Sequence, residues 1–443
     1  RSDDPDDIVG VEFEYKAGNT ISTKKVLPTM AYVKSCENLD QIEYLFGYEA
    51  EEKIIACKYD TEATVFFEMK RWITELDKKE ELYDEEGCCC EDVDRSSIIK
   101  AYLKYVITKA EQFFKVKFKE VHFSAPVKIK KTYIAALKKM LPEYTVYASS
   151  KCLDEGIAIV YDYIANQIDE SLEKNRHNDD SYENREKTSV LVLDCGGGTT
   201  DLVNCEYSYE TESNESDAVL KVNTRFENGN ANFGGNNITF RILQLLKIKM
   251  VDALYENALE YGSRIDNLIV ESDSKMLDII DSNMNSGNRP LTGSIYDRFE
   301  ETYAKCEEYI PTRFADSDFY KSESKRNYFY LWQLAERMKK KFYESGNMAT
   351  YNLEKRIAVE DIKDFYLYRY NEESDSIEKA DSVPDIEVTN NEIRKVVYAD
   401  IYSVMNDLFN DIDMKSFDKY KLSGQSCKVT LFQELLKEFI TGR

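Results

Sequence analysis

One stretch limits the fold more than any other: "SVLVLDCGGGTTDLVNCEY", from Ser189 to Tyr207. Alternating apolar residues, Val190, Leu191, Val192 and Leu193, end on Asp194, and three glycines follow before Thr199, Thr200 and Asp201. Glycine costs conformational entropy on folding, so a folded chain keeps a triplet where backbone must approach something closely or bend unusually. The continuation Asp201–Glu210 is rich in β-branched and aromatic residues, which makes the unit strand, glycine turn, strand. P-loops and dinucleotide folds need a helix directly after their glycines, and neither of their spacings occurs here. What remains is a hairpin whose amides can cradle an anion, with Asp194 and Asp201 beside it as candidates to hold hydrated Mg²⁺. Phosphate handling is the chemistry this suggests.

At 443 residues the chain is long enough for two or more domains with full cores. Its formal net charge of -24 repels nucleic-acid phosphate and anionic membrane, so neither is expected as a partner. No stretch has the continuous apolar length of a membrane span and the opening "RSDDPDD" is unlike a signal peptide, so a cytoplasmic protein is expected. The ten cysteines show no C-x-x-C spacing and only His122 and His177 offer imidazole, which disfavours structural zinc, a disulfide framework and histidine-based nucleophilic catalysis. The triplet Cys88–Cys90 lies among acids that disfavour its thiolates, and it is read as non-catalytic.

Periodicity organises the rest. A helix is expected from Ser96 through Phe114, a strand over Glu120–Pro126, a basic helix from about Lys128 to Leu141, a strand over Tyr144–Ser150 and a helix from about Asp154 to Glu173. Strands alternating with helices imply an α/β core with largely parallel strands. The polar joint from Lys174 to Lys187 marks a lobe boundary, and Glu210–Asp217 reads as a hairpin tip. A Gly-Gly turn in "NFGGNNITFRILQLL" opens a helix, residues from about Arg241 to Phe342 are mostly helical, and Arg356–Tyr370 reads as a strand pair. Thr389–Phe409 is an amphipathic helix capped by Thr389 or Asn390, and "KVTLFQELLKEFI" is a final helix opened by "LSGQS".

Three glycine junctions, Gly196–Gly198, Gly234-Gly235 and Gly424, together suggest a nucleotide cradled by backbone from several turns. At these residues the sequence resembles the actin-like ATPase superfamily, and specifically the DnaK-type heat-shock chaperones. "LDCGGGTTDL" is similar to that family's second phosphate motif, "NFGGNNIT" to its Gly-Gly turn, "LAERMKKKF" to its adenine-contacting helix and "LSGQSCKVTLFQELLKEF" to its adenosine motif. "VLPTMAYV", "FGYEAEEK", "FFEMKRWI", "VHFSAPVKI" and "LDEGIAIVYDY" resemble first-lobe segments in the same order.

The resemblance implies a two-lobed actin-like ATPase fold, each lobe an α/β ribonuclease-H-like core with a smaller insert. Lobe one would span residues 1–186 with its insert over about 29–95, and lobe two residues 187–443 with its insert over about 241–385. It implies an ATP-binding domain that hydrolyses ATP to ADP with Mg²⁺ and, through lobe closure, regulates a co-chaperone-like partner, a client or an appended domain, as a monomer. Asp194 and Asp201 would hold Mg²⁺ through water. The backbone of Gly196, Gly197 and Gly198, with Thr199 and Thr200, would bind phosphate. Lys70 would reach the γ-phosphate and the attacking water, and Glu155 would stand near the metal's water shell. Gly234, Gly235, Glu336, Lys339 and Lys340 would flank adenine and ribose, and Gly424, Gln425, Ser426 and Lys428 would close the other side.

The sequence departs from the family in several places. The first phosphate motif, a Gly-Thr-Thr turn on the first strand, has no counterpart, so hydrolysis is expected if that motif is present in the natural protein. The chain also stops before the family's closing helix and peptide-binding domain. Gln425 replaces a glycine, Asn236-Asn237 replace acids and Gly156 replaces a proline. Two alternatives stand beside the switch: a nucleotide-binding scaffold without turnover, and a small-molecule kinase of the same superfamily, for which neither base nor substrate pocket is legible.

Overall fold

The computed structural model describes residues 9–17, 20–38, 41–57, 59, 61–125, 129–175, 184–211, 218–230, 232–269, 292–314, 320–343, 355–359, 367–380 and 382–441. The chain is mixed α/β, with helices and several small sheets. It divides into two units that part after Leu153, whereas the sequence reading put the boundary at Glu186. Packing explains the difference. The helix Glu155–Asn175 presses Ile157, Val160 and Ile164 onto Val190, Val192, Val203 and Cys205, so it belongs with the strands that follow it. Of the polar joint expected at Lys174–Lys187, residues 176–183 lie outside the described residues, and Asn184 already begins a strand.

In the first unit, β1 (Phe13–Ala17) and β2 (Thr20–Lys24) form an antiparallel pair. β3 (Met30–Ser35) is flanked by β4 (Glu43–Phe46) and β5 (Val65–Phe67), and β6 (Lys79–Tyr83) pairs with β7 (Cys89–Asp94). β8 (Glu120–Val121) and β9 (Thr145–Val146) form a parallel pair. Two helices, α2 (Arg95–Phe114) and α3 (Lys130–Met140), cover a core built on Val33, Phe46, Leu82, Ile98, Ile107 and Leu137, while α1 (Gly47–Ala56) packs on β3 and β4. Among the described residues no strand joins β1–β2 to β8–β9. Of the strand expected over Glu120–Pro126, β8 keeps Glu120–Val121, and Pro126 lies outside the described residues.

In the second unit, α4 (Glu155–Asn175) covers one face of a four-stranded sheet made by β10 (Asn184–Cys195), β11 (Thr200–Thr211), β12 (Ala218–Asn230) and β17 (Lys419–Ser423), in the order β12-β11-β10-β17. The first three strands form an antiparallel meander, and β17 runs parallel to β10. This corrects the expectation of largely parallel strands. A tight glycine turn folds β10 straight back as β11, and such a hairpin joins only antiparallel strands. Among the described residues, parallel pairing is confined to β10–β17 and β8–β9.

The sheet's other face, with Leu191, Leu193, Cys195 and Leu202, merges into a large core with α5 (Gly235–Leu254), α6 (Thr292–Lys305), α7 (Lys321–Tyr343), α8 (Asn390–Phe409) and α9 (Thr430–Thr441). The strand pair expected within Arg356–Tyr370 is corrected too. β13 (Arg356–Ala358) pairs with β16 (Glu387–Thr389), and β14 (Leu367–Asn371) pairs with β15 (Ser376–Ala380). Thr389 caps α8 reciprocally: its hydroxyl accepts the Glu392 amide at 3.2 Å, while the Glu392 carboxylate accepts the Thr389 amide at 2.8 Å. No helix among the described residues is long and apolar enough to cross a membrane.

Candidate functional site

Alternation along β10 and β11 decides where the acids point. Val190 and Val192 face α4, and so do Val203 and Cys205 on the neighbouring strand. With a side-chain period of two, Asp194 and Asp201 fall on that same face. They are also direct cross-strand partners at the mouth of the hairpin. Like charges placed opposite one another are destabilising, so the hairpin sets two carboxylates where a cation would relieve them. Asp201 is buried, with Oδ1 2.7 Å from where a Cβ would stand on Gly229 of β12. α4 begins alongside, since a Cβ on its Gly156 would lie 2.3 Å from a Val203 methyl carbon, and Asp154 and Glu155 therefore open this helix against β11.

The glycine triplet is held in place by its carbonyls. Within the turn, the Gly196 amide donates to the Thr199 carbonyl at 2.9 Å. From the start of α5, the amides of Gly235 and Asn236 donate to the carbonyls of Gly196 and Gly197 at 2.9 and 2.8 Å. From beyond β17, the Ser426 hydroxyl donates to the Gly196 carbonyl at 2.7 Å. Planar trans peptides point their N–H and C=O in opposite directions. The N–H groups of Gly197 and Gly198 are thus aimed away from α5, as an anion-receiving turn requires. The first amides of α5 are spent on fixing the turn. In this it differs from a P-loop, whose helix N-terminus faces the phosphate.

Close approach at the other glycines completes the junction. A Cβ on Gly234 would meet Gly197 and Gly198 backbone at 2.6 Å. Gly424 has φ of 82° and lies so near β10 that a Cβ would stand 2.2 Å from the Cys195 carbonyl oxygen. Only glycine combines that backbone angle with that contact. All three glycine junctions singled out in the sequence are therefore gathered at one end of β10.

α7 adds charge to the junction. Lys339 donates to the Gly235 carbonyl at 3.1 Å and to Thr239 Oγ1 at 2.7 Å, and pairs with Glu336 at 2.7 Å. Burial pushes the Glu336 carboxyl up, but the Lys339 ammonium and the Thr239 hydroxyl outweigh it and hold it below the ordinary range. Lys340 is largely exposed and reaches Glu336 at 3.5 Å. Gln425 and Lys428 are exposed on the 3-10 turn Gln425–Lys428, whereas Ser426 is buried against the triplet.

One assignment changes. Thr200, expected at phosphate, is fully buried on the opposite face, where its hydroxyl donates to the Phe233 carbonyl at 3.0 Å. It is a core tie. Lys70 belongs to the first unit, exposed on the 3-10 turn Met69–Thr74. Two roles went unread in the sequence. Thr239 stands one helical turn after Gly235, which is the signal that would have placed it beside that glycine. Asn237 accepts the Gly234 amide at 3.0 Å through its side chain and thereby caps α5, a cap that Asn three residues into a helix announces.

Burial disfavours the thiolate form of several cysteines. All ten cysteines are free, and burial pushes the Cys195 thiol up to about 11 and that of Cys427 well above its ordinary value. Burial and neighbouring acids raise Cys88 and Cys89 as well. No family model matches the chain, and no curated protein matches it in sequence.

Proposed function

We propose that the chain is a nucleotide-binding switch of the heat-shock-chaperone ATPase kind, with a two-lobed actin-like architecture. The observation that carries this reading is the convergence of three glycine turns on β10, with the triplet's carbonyls tied back and two opposed carboxylates beside it. On this reading the amides of Gly197 and Gly198 and the Thr199 hydroxyl receive the terminal phosphates of ATP. The donor set suits Mg²⁺, a hard cation that keeps most of its waters and accepts one or two carboxylates. Asp194 and Asp201 would hold it, with Glu155 near its water shell, and the ion would neutralise phosphate charge. Glu336, Lys339, Lys340 and the Gly424–Lys428 turn would flank the nucleoside. Lys70 would add positive charge at the γ-phosphate if closure of the units delivers it.

Switching requires that ATP and ADP bind the open and closed states with different affinity. A second reading, nucleotide binding without turnover, is favoured by one observation: β1–β2 and β8–β9 are not joined into a sheet among the described residues. A phosphate-release assay with Mg·ATP separates the two. Slow release that disappears in Lys70→Ala supports the ATPase, and nucleotide binding without release supports the scaffold. Failure to bind either nucleotide would overturn both.

A further inference from the structure

The charge of this protein is distributed unevenly. Between Lys100 and Lys151 the sequence has twelve lysines, three glutamates and neither aspartate nor arginine, a net of plus nine inside a chain of -24. This block is α2, β8, α3 and β9, two successive helix–strand units whose strands run parallel. Parallel strands start at the same edge, so the C-terminal ends of both helices gather there. The Thr145 amide donates to the Lys119 carbonyl at 2.8 Å, which fixes the two ends side by side.

That edge is basic and apolar together. Phe113, Phe114 and Val116 are 41%, 38% and 49% exposed, whereas most other phenylalanines among the described residues are packed. The Phe113 and Phe114 rings meet edge to face at 5.1 Å, and half-buried Phe118 backs Phe114 at 6.3 Å, so the rings form a supported cluster. Lysines 115, 117 and 119 interleave with them. Lys117 is paired with Glu111, while Lys115 and Lys119 have no ion pair among the described residues. Lys138 and Lys139, also exposed and without an ion pair among the described residues, end α3 at the same edge.

We propose that this edge docks on an anionic lipid surface, with the phenyl rings and Val116 entering the headgroup boundary and the lysines meeting lipid phosphate and carboxylate. Exposed rings alternating with lysine form the pattern of interfacial anchors, in which lysine stems lie along the apolar layer and their ammonium groups stay wet. The absence of arginine fits a diffuse plane of charge better than bidentate recognition of single phosphates. The expectation against a membrane partner came from charge summed over the whole chain. At physiological salt, however, charges beyond about 8–10 Å are screened, so the local edge governs docking and the acidic remainder keeps other faces away.

The test is co-sedimentation of the full chain with vesicles of phosphatidylcholine alone and with about 30% phosphatidylserine, at roughly 0.1 and 0.5 M salt. Binding should need phosphatidylserine and fall at the higher salt. Lys115→Gln and Lys119→Gln should each cost about fivefold in affinity, and Phe113→Ser with Phe114→Ser at least tenfold, with the circular dichroism of the folded chain retained. Equal sedimentation with both vesicle types, none with either, or indifference to these variants would overturn the proposal. Binding of a soluble polyglutamate peptide without vesicle binding would also overturn it and reassign the edge to an acidic protein.

Discussion

Substituting Gly234 by alanine should unseat the glycine triplet, whatever it binds. A Cβ there would stand 2.6 Å from the Gly197 carbonyl carbon and oxygen and from the Gly198 nitrogen, all backbone atoms that cannot rotate away. Restoring ordinary contact at about 3.4 Å requires the turn and α5 to separate by roughly 0.8 Å. The bonds from Gly235 and Asn236 to the triplet, now 2.9 and 2.8 Å, would lengthen to about 3.6 Å and cease to be hydrogen bonds. Two such bonds at about 1 kcal/mol each, with an overpacking cost of about 1 kcal/mol or more, give a loss of about 3 kcal/mol. Gly197→Ala is the control. Its Cβ would meet nothing nearer than the Asn236 side chain at 3.9 Å, so it should cost less than about 1 kcal/mol. Urea unfolding measures both. Equal midpoints for the two variants would refute the packing on which the site rests.

Thr200→Val should destabilise by about 1–2 kcal/mol through its lost bond to the Phe233 carbonyl and leave nucleotide affinity almost intact, whereas Thr199→Val should do the reverse; unfolding and binding measured on the same samples check this. Lys339→Met should leave half-buried Glu336 without its main partner, costing about 1–3 kcal/mol and weakening ATP binding, as denaturation and titration would show. Lys247, fully buried against Glu307 at 2.5 Å, gives a pH prediction. Burial pushes its ammonium down from 10.5 to about 8 despite Glu307, so across that window the unfolded chain binds the proton more tightly than the folded one. Its contribution to stability is therefore least below that window and rises with pH through it. Relative to Lys247→Met, the native chain should gain stability between pH 7 and about 10, and parallel curves would contradict this.

The parts of the site visible in sequence were those set by local pattern. Alternation in "VLVLD" predicts the strand, the β-branched run after Thr200 predicts a hairpin in place of a helix, and the same period of two puts Asp194 and Asp201 on one face. Helix α8 was legible because its amphipathic spacing and a cap at Thr389 or Asn390 announce it. The rest depends on distant partners. Nothing near Arg356 reveals that its strand pairs with Glu387–Thr389, or that α4 packs forward onto β10 and β11. The carbonyl ties of the triplet were equally hidden, because sequence places a glycine without saying which side of its peptide faces a neighbour. Thr200 illustrates the cost of this. Beside Thr199 it reads as a phosphate ligand, yet alternation past Cys195 sends its hydroxyl into the core. Net charge is uninformative in another way: a sum over the chain conceals a lysine-rich block of two helices and two strands.

The most direct test is calorimetric titration of the native chain and of Asp194→Asn with ATP, each with and without Mg²⁺. Removing one of two opposed carboxylates should relieve their repulsion and leave the fold intact while loosening the hydrated ion. Mg²⁺ should strengthen ATP binding to the native chain at least tenfold, and that gain should vanish in Asp194→Asn. ATP binding with the same Mg²⁺ dependence in both proteins, or no binding to the native chain, would contradict the assignment of the glycine hairpin as a phosphate and metal site.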